Sequence, residues 1–158
     1  MRVALAYYRG ETIQHRLIRW FTGSAFSHVE YIDLKTVMCW SSSSKEGGVR
    51  RKYINIANGK WTVVHYELPF HADPLSWFEA HEGCKYSWNS ILNYICSMFV
   101  EVESEFNCSV AIAHSLGFHF DRMTPRELFE FLAPYRVLTL EFPKGKPMQI
   151  TSHIKPFV

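Results

Sequence analysis

The chain has 158 residues and a formal net charge of +2, from 17 Lys plus Arg against 15 Asp plus Glu. That near balance argues against nucleic acid as a partner, because specific binders gather basic side chains to neutralise phosphates. Hydrophobic residues make up 47% and aromatics 16%, enough for one domain core over residues 1–158 and too much for a disordered chain.

Val3 to Tyr8 is a short apolar strand. Ile13, Leu17, Trp20 and Phe21 follow at the i, i+4, i+7, i+8 spacing of a helix. Arg16 and Arg19 lie opposite that stripe; the pattern is a candidate for an amphipathic membrane-binding segment and is more simply a surface helix of the domain. Phe26 to Asp33 is a strand, with Thr36 to Ser41 returning beside it and the serines of 41–44 forming a loop. Val49 to Ile56 and Trp61 to Leu68 are two further strands. Asn58-Gly59 between them is a hairpin signal, since both residues tolerate positive φ. Arg50, Arg51 and Lys52 follow Gly47-Gly48 and read as a solvated strand start.

The second half turns helical. Asp73-Pro74 is a capped helix start, and Ser87 to Met98 carries a further helical pattern. Asn107 caps a helix from Cys108 to about Leu116, with Gly117 placed to end it. Thr124-Pro125-Arg126-Glu127 is a capping box. Arg136 to Phe142 alternates as a last strand, and the Pro- and Lys-rich tail beyond Pro143 reads as loose. The expected class is α+β, an antiparallel β-sheet packed against segregated helices.

The cysteines are Cys39, Cys84, Cys96 and Cys108, and no two have CxxC spacing. The N-terminus lacks the apolar region of a signal peptide, and no apolar run of about 18 residues is present to span a membrane. A cytoplasmic, reduced protein is the expectation. His65, His71 and His81 are scattered without metal-ligand spacing.

Cys108 stands out by position. In the first turn of a capped helix, free N–H groups and the positive end of the helix dipole favour thiolate over thiol. The same N–H groups can hold an oxyanion. A buried core cysteine is the plain alternative. His28 and Glu30 share one face of their strand, with Val29 and Tyr31 on the other. If the latter face the core, His28 and Glu30 face a cleft or solvent, where the carboxylate can support an imidazolium. H-x-E also occurs in zinc deaminases, but the P-C-x-x-C those enzymes need is absent. His114 falls six residues after Cys108, about 240° around the helix, and points away from the thiol.

Together these pieces resemble the circularly permuted branch of the NlpC-type papain-like hydrolases, which includes YiiX-type proteins and lecithin retinol acyltransferase relatives. In that branch the histidine strand comes first and the cysteine helix late, as with FSHVEYI at 26–32 and NCSVAIAHSLGF at 107–118. GCKYSWNSI at 83–91, KEGGVR at 45–50 and TPREL at 124–128 resemble smaller family segments in the same order. The resemblance implies a permuted papain-like fold and a cysteine peptidase or amidase, with Cys108 as nucleophile and His28 as base. A third polar residue orients the imidazole in such sites. The following strand offers no His, Glu, Gln or Asn, so Glu30 takes that role, with Ser41 or a backbone carbonyl as the fallback. Tyr86 is a substrate or oxyanion contact or a core tyrosine. The chemistry needs no cofactor or metal. The implied partner is a peptide or acyl-amide substrate, with cell-wall peptide leading and phage origin or release by lysis in keeping with the missing signal peptide. An acyltransferase or lipid thioesterase of the same fold, and a non-catalytic binding module, are the competing readings.

Overall fold

The first strand, β1 (Arg2–Tyr8), is buried on both faces from Val3 to Tyr7. A strand so placed belongs in the middle of a sheet covered on both sides. The computed structural model, which describes residues 1–87, 105–144 and 148–152, has it there. The helix predicted over Ser87 to Met98 falls, apart from Ser87, outside the described residues, as does Cys96.

Beside β1 lie β2 (His28–Ile32), β3 (Cys39–Ser43) and β4 (Gly48–Lys52) on one side, and β5 (Trp61–Glu67), β6 (Arg136–Glu141) and β7 (Gln149–Ser152) on the other. The order β4-β3-β2-β1-β5-β6-β7 is antiparallel throughout. The α+β class therefore holds. Val3, Leu5, Tyr7, Val29, Trp40, Val49, Val64 and Tyr66 form the core beneath the helices. On the opposite face a smaller cluster gathers Ala4, Ala6, Ile32, Cys39, Trp61 and Val63.

Four helices accompany the sheet among the described residues: α1 (Ile13–Thr22), α2 (Pro74–Ala80), α3 (Cys108–Ser115) and α4 (Pro125–Phe131). Each starts at a residue with a capping side chain. Thr12, Asp73, Asn107 and Thr124 accept from backbone N–H groups of the first turn, and Thr124 and Glu127 complete the expected capping box. α3 is buried along nearly its whole length, because it rests on β2 and β3 while α2 and α4 flank it.

Several local expectations are corrected. The serine run is not a loop: Ser41, Ser42 and Ser43 are buried in β3. Their hydroxyls are tolerated there because backbone carbonyls accept from them, Ser41 donating to Val29 and Ser42 to Phe106. Asn58-Gly59 does not join a hairpin. Gly59 takes φ +83° in a turn, but the chain entering it leaves β4 at the sheet edge, and the chain leaving it enters β5 beside β1. The tail beyond Pro143 is not loose throughout, since β7 pairs with β6 from Leu138↔Ser152 to Glu141↔Gln149. α1 lies on the surface, as expected, with Ile13, Leu17 and Trp20 exposed.

Candidate active site

The site forms where two neighbouring strands part. β2 and β3 pair at Ile32↔Cys39 and Tyr31↔Trp40. Beyond that point Val29 turns its N–H and C=O away from β1 with no β3 backbone to receive them. The carbonyl accepts the Ser41 hydroxyl at 2.7 Å. The N–H donates to the sulfur of Cys108.

Local chemistry brings α3 to this gap. Asn107 Oδ1 accepts from the N–H groups of Ser109 and Val110, each at 2.9 Å, and so fixes the first turn with Cys108 as its first residue. The preceding residue, Phe106, is held on three sides. Its carbonyl accepts from Ser42 Oγ at 2.5 Å and from Ser87 N at 3.2 Å, and its N–H donates to Lys85 O at 3.1 Å. The cap takes two first-turn N–H groups that the sequence offered to an oxyanion. It does not use the N–H of Cys108 itself, the group nearest the reacting sulfur.

His28 is the first residue of β2 and meets this helix start. Its Nε2 lies 2.7 Å from Glu30 Oε1, so Nδ1 is the nitrogen left for the thiol. Burial alone would strip the proton from His28. The charges of the Cys108 thiolate and the Glu30 carboxylate, with hydrogen bonds to both, outweigh it and raise the imidazole to about 10. Burial likewise opposes the Cys108 thiolate, and again loses. The His28 cation, then the Val29 N–H and the Ser109 hydroxyl, lower the thiol below its ordinary value. Both shifts lean toward a thiolate–imidazolium pair. Cys39 provides the contrast: buried near Glu30 without such a partner, it is pushed up to about 12.

Glu30 is 0% exposed, which corrects the expectation of a cleft or solvent position. A carboxylate so enclosed stays ionised only with strong partners. Arg50, from β4, supplies them: Nη1 donates to Oε2 at 2.7 Å and Nη2 to Oε1 at 2.6 Å. Desolvation raises the Glu30 carboxyl, but the Arg50 hydrogen bonds and the His28 charge prevail and lower it. Arg50 is itself braced. Its Nε donates to Glu46 Oε2 at 2.7 Å, while Lys52 pairs with the other Glu46 oxygen.

The structure thus brings Cys108, His28 and Glu30 together, and Tyr86 joins them. A parallel bridge between Tyr86 and Phe106 places that tyrosine beside the helix start. Burial, then the Cys108 charge, raises its hydroxyl well above the ordinary range, so it stays protonated. Ser41 is not part of the group, since its hydroxyl is committed to Val29 O. His114 packs away from the thiol, with Nε2 donating to Phe120 O at 3.1 Å. Among the described residues no three His, Cys, Asp or Glu side chains gather as a metal site requires. The residue that sequence reasoning missed is Arg50, taken as solvated but only 16% exposed at its side chain. Its signal was indirect: a buried carboxylate demands a cation, and an Arg on a nearby strand can provide one.

Compared with known proteins, the chain matches no family model and no curated protein.

Proposed function

We propose that the protein is a cysteine-dependent hydrolase of the permuted papain-like kind, acting on an acyl bond through a thioester intermediate. The observation that carries this reading is the placement of one pair: Cys108 at the first residue of α3 against His28 on β2, whose Nε2 is held 2.7 Å from Glu30, with the thiol lowered and the imidazole raised. Two opposite shifts on facing groups separate nucleophile from proton carrier.

The steps follow from the geometry. The Cys108 thiolate attacks the substrate carbonyl, and the N–H of Cys108 and the hydroxyl of Tyr86 are the candidate donors to the new oxyanion. His28 passes its proton to the leaving group, giving the acyl-enzyme. Acylation removes the thiolate charge that held that proton, so the imidazole releases it more readily at the step that needs an acid. Neutral His28 then draws a proton from water, which attacks the thioester and frees Cys108. Glu30 positions His28 through Nε2 and balances its positive charge. The family resemblance favours an amide bond in a peptide, with cell-wall peptide as the leading substrate.

The test is the alkylation rate of each cysteine from about pH 4 to 9, read by peptide mass spectrometry in wild type and His28→Ala. Fast, His28-dependent reaction of Cys108 at neutral and mildly acidic pH supports the reading, and a screen of peptides and acyl esters then assigns the bond. A Cys108 that reacts like an ordinary exposed thiol in both proteins removes the nucleophile, and a binding module becomes the better reading.

A further inference from the structure

The first helix carries a feature the proposed chemistry does not use. Ile13, Leu17 and Trp20 recur at i, i+4 and i+7, and they are 78%, 49% and 75% exposed. Three large apolar side chains in one outward row are costly to leave in water. At about 100° per residue Arg16 falls beside this row rather than opposite it, and is exposed; Arg19 lies farther round and is half-buried. α1 contains no carboxylate. Among the described residues neither Arg16 nor Arg19 enters an ion pair, although Arg19 lies close enough to Glu11 to help lower that carboxyl. Glu11, the acid just before the helix, is taken by Lys60 at 3.0 Å.

We propose that α1 is an interfacial docking helix, which lays Ile13, Leu17 and Trp20 into the surface of an anionic lipid bilayer while Arg16 and Arg19 meet the headgroup phosphates. An apolar row on a helix that carries arginines and no carboxylate is the pattern of helices lying in a membrane interface, and tryptophan favours the headgroup level. The charge also selects against a second copy of the chain, since a two-fold contact through this face would set each pair of arginines against its twin. No helix among the described residues is long and apolar enough to cross a membrane, so the association is peripheral. α1 is tied to the catalytic end of the sheet: the His15 ring packs edge-on against Tyr8 at 5.2 Å, and Tyr8 pairs with His28. Docking therefore holds the His28 end of the sheet near the bilayer, whether or not Cys108 is a nucleophile.

The test is co-sedimentation of the full chain with vesicles of phosphatidylcholine alone and of phosphatidylcholine with phosphatidylglycerol. The anionic vesicles should pellet the protein, and salt should weaken binding. Leu17→Glu and Trp20→Ser should each lower the partition coefficient by about tenfold or more. The double variant Arg16→Gln/Arg19→Gln should lose the preference for anionic vesicles. An unchanged melting curve and Cys108 alkylation rate in each variant show that the fold is intact. Wild type that stays in the supernatant, or binding that survives Leu17→Glu, overturns the proposal. Concentration-dependent dimerisation abolished by Leu17→Glu, without vesicle binding, overturns it in favour of a second copy.

Discussion

Arg50 grips both oxygens of Glu30, 2.6 and 2.7 Å away, from a strand that is not a neighbour of the one carrying Glu30. The guanidinium reaches past β3 to a carboxylate with no contact with water. It leaves Oε1 shared with His28 Nε2. The charges form a chain in which Glu46 fixes Arg50, Arg50 fixes Glu30, and Glu30 fixes the imidazole. An exposed pair of this kind would contribute little. In burial, loss of one member strands the others.

Glu30→Gln should therefore destabilise the fold by about 3–5 kcal/mol in urea unfolding, the usual cost of breaking a buried pair from one side. Arg50→Ala should fall in the same range, and Arg50→Lys should recover part of the loss, since it restores charge without the two-pronged grip. In wild type the lowered Glu30 carboxyl contributes stability that is complete above the unfolded value of about 4.3 and lost as pH falls below it. Unfolding curves between about pH 3 and 6 measure that slope, which should flatten in Glu30→Gln.

Alkylation of Cys108 should depend less steeply on pH across the neutral range in wild type than in an ordinary thiol, because the His28 cation lowers its thiol. Without the His28 cation the thiol moves back toward its ordinary value of about 8.5, where under about 1% is thiolate at pH 6. His28→Ala should then slow iodoacetamide at pH 6 by on the order of 10- to 100-fold and change the rate at pH 9 far less. Cys39, buried and pushed up to about 12, should stay unmodified until the protein unfolds.

The same pair predicts a stability plateau. The raised His28 contributes stability complete below about 6.5 and lost as pH rises toward about 10, and the lowered Cys108 contributes stability complete above about 8.5 and lost as pH falls. Between about 6.5 and 8.5 the two slopes cancel, since the folded pair binds one proton and the unfolded pair also binds one. Unfolding free energies measured from about pH 5 to 10 should be level in that window and fall on both sides. Cys108→Ala removes the compensating slope, so the plateau should be lost and the fall should begin at about pH 6.5, where Glu30 still holds the His28 proton.

Asn107→Ala removes the acceptor for two N–H groups at 2.9 Å. The loss should be about 1–2 kcal/mol by thermal or urea unfolding, typical of a lost helix cap. Alkylation of Cys108 should slow as well, since the turn that presents the sulfur is no longer fixed. Asn107→Asp should preserve both properties.

Gly48→Ala tests the edge strand that carries Arg50. A Cβ at this position would stand 1.9 Å from the Cys84 carbonyl oxygen, and the approach is backbone to backbone, so no side chain can swing aside. A cost of about 1–3 kcal/mol is expected from forced repacking. Displacement of β4 should also slow Cys108 alkylation at pH 6, through Arg50 and Glu30. Gly47→Ala, where a Cβ meets no atom within 4 Å, strains only its positive φ and should spare the alkylation rate.

The meeting of Cys108, His28 and Glu30 was legible because each is announced locally. Asn107 marks the helix start that exposes Cys108, and the two-residue period of a strand sets His28 and Glu30 on one side. The helix caps at Thr12, Asp73 and Thr124 are legible for the same reason. What the chain did not disclose depends on which strands become neighbours. Arg50 reads as solvated until β4 folds beside β3, and the Asn58-Gly59 turn says nothing of the three strands that lie between its flanks in the sheet. The serines of β3 read as loop because their acceptors, Val29 and Phe106, are far away in sequence. In α1, periodicity finds the apolar row but not the direction in which it faces.

The parting of β2 from β3 divides the inheritance of this site unequally. The donor that Val29 offers to sulfur belongs to the main chain, and every residue but proline supplies it. Position 29 can therefore drift among apolar side chains that fit beneath the helices while the thiolate keeps that hydrogen bond. The imidazole's support has no such insurance, because it is written in the side chains of Glu30, Arg50 and Glu46. Divergent descendants of this chain would lose the proton carrier's alignment long before they lost the place prepared for the sulfur.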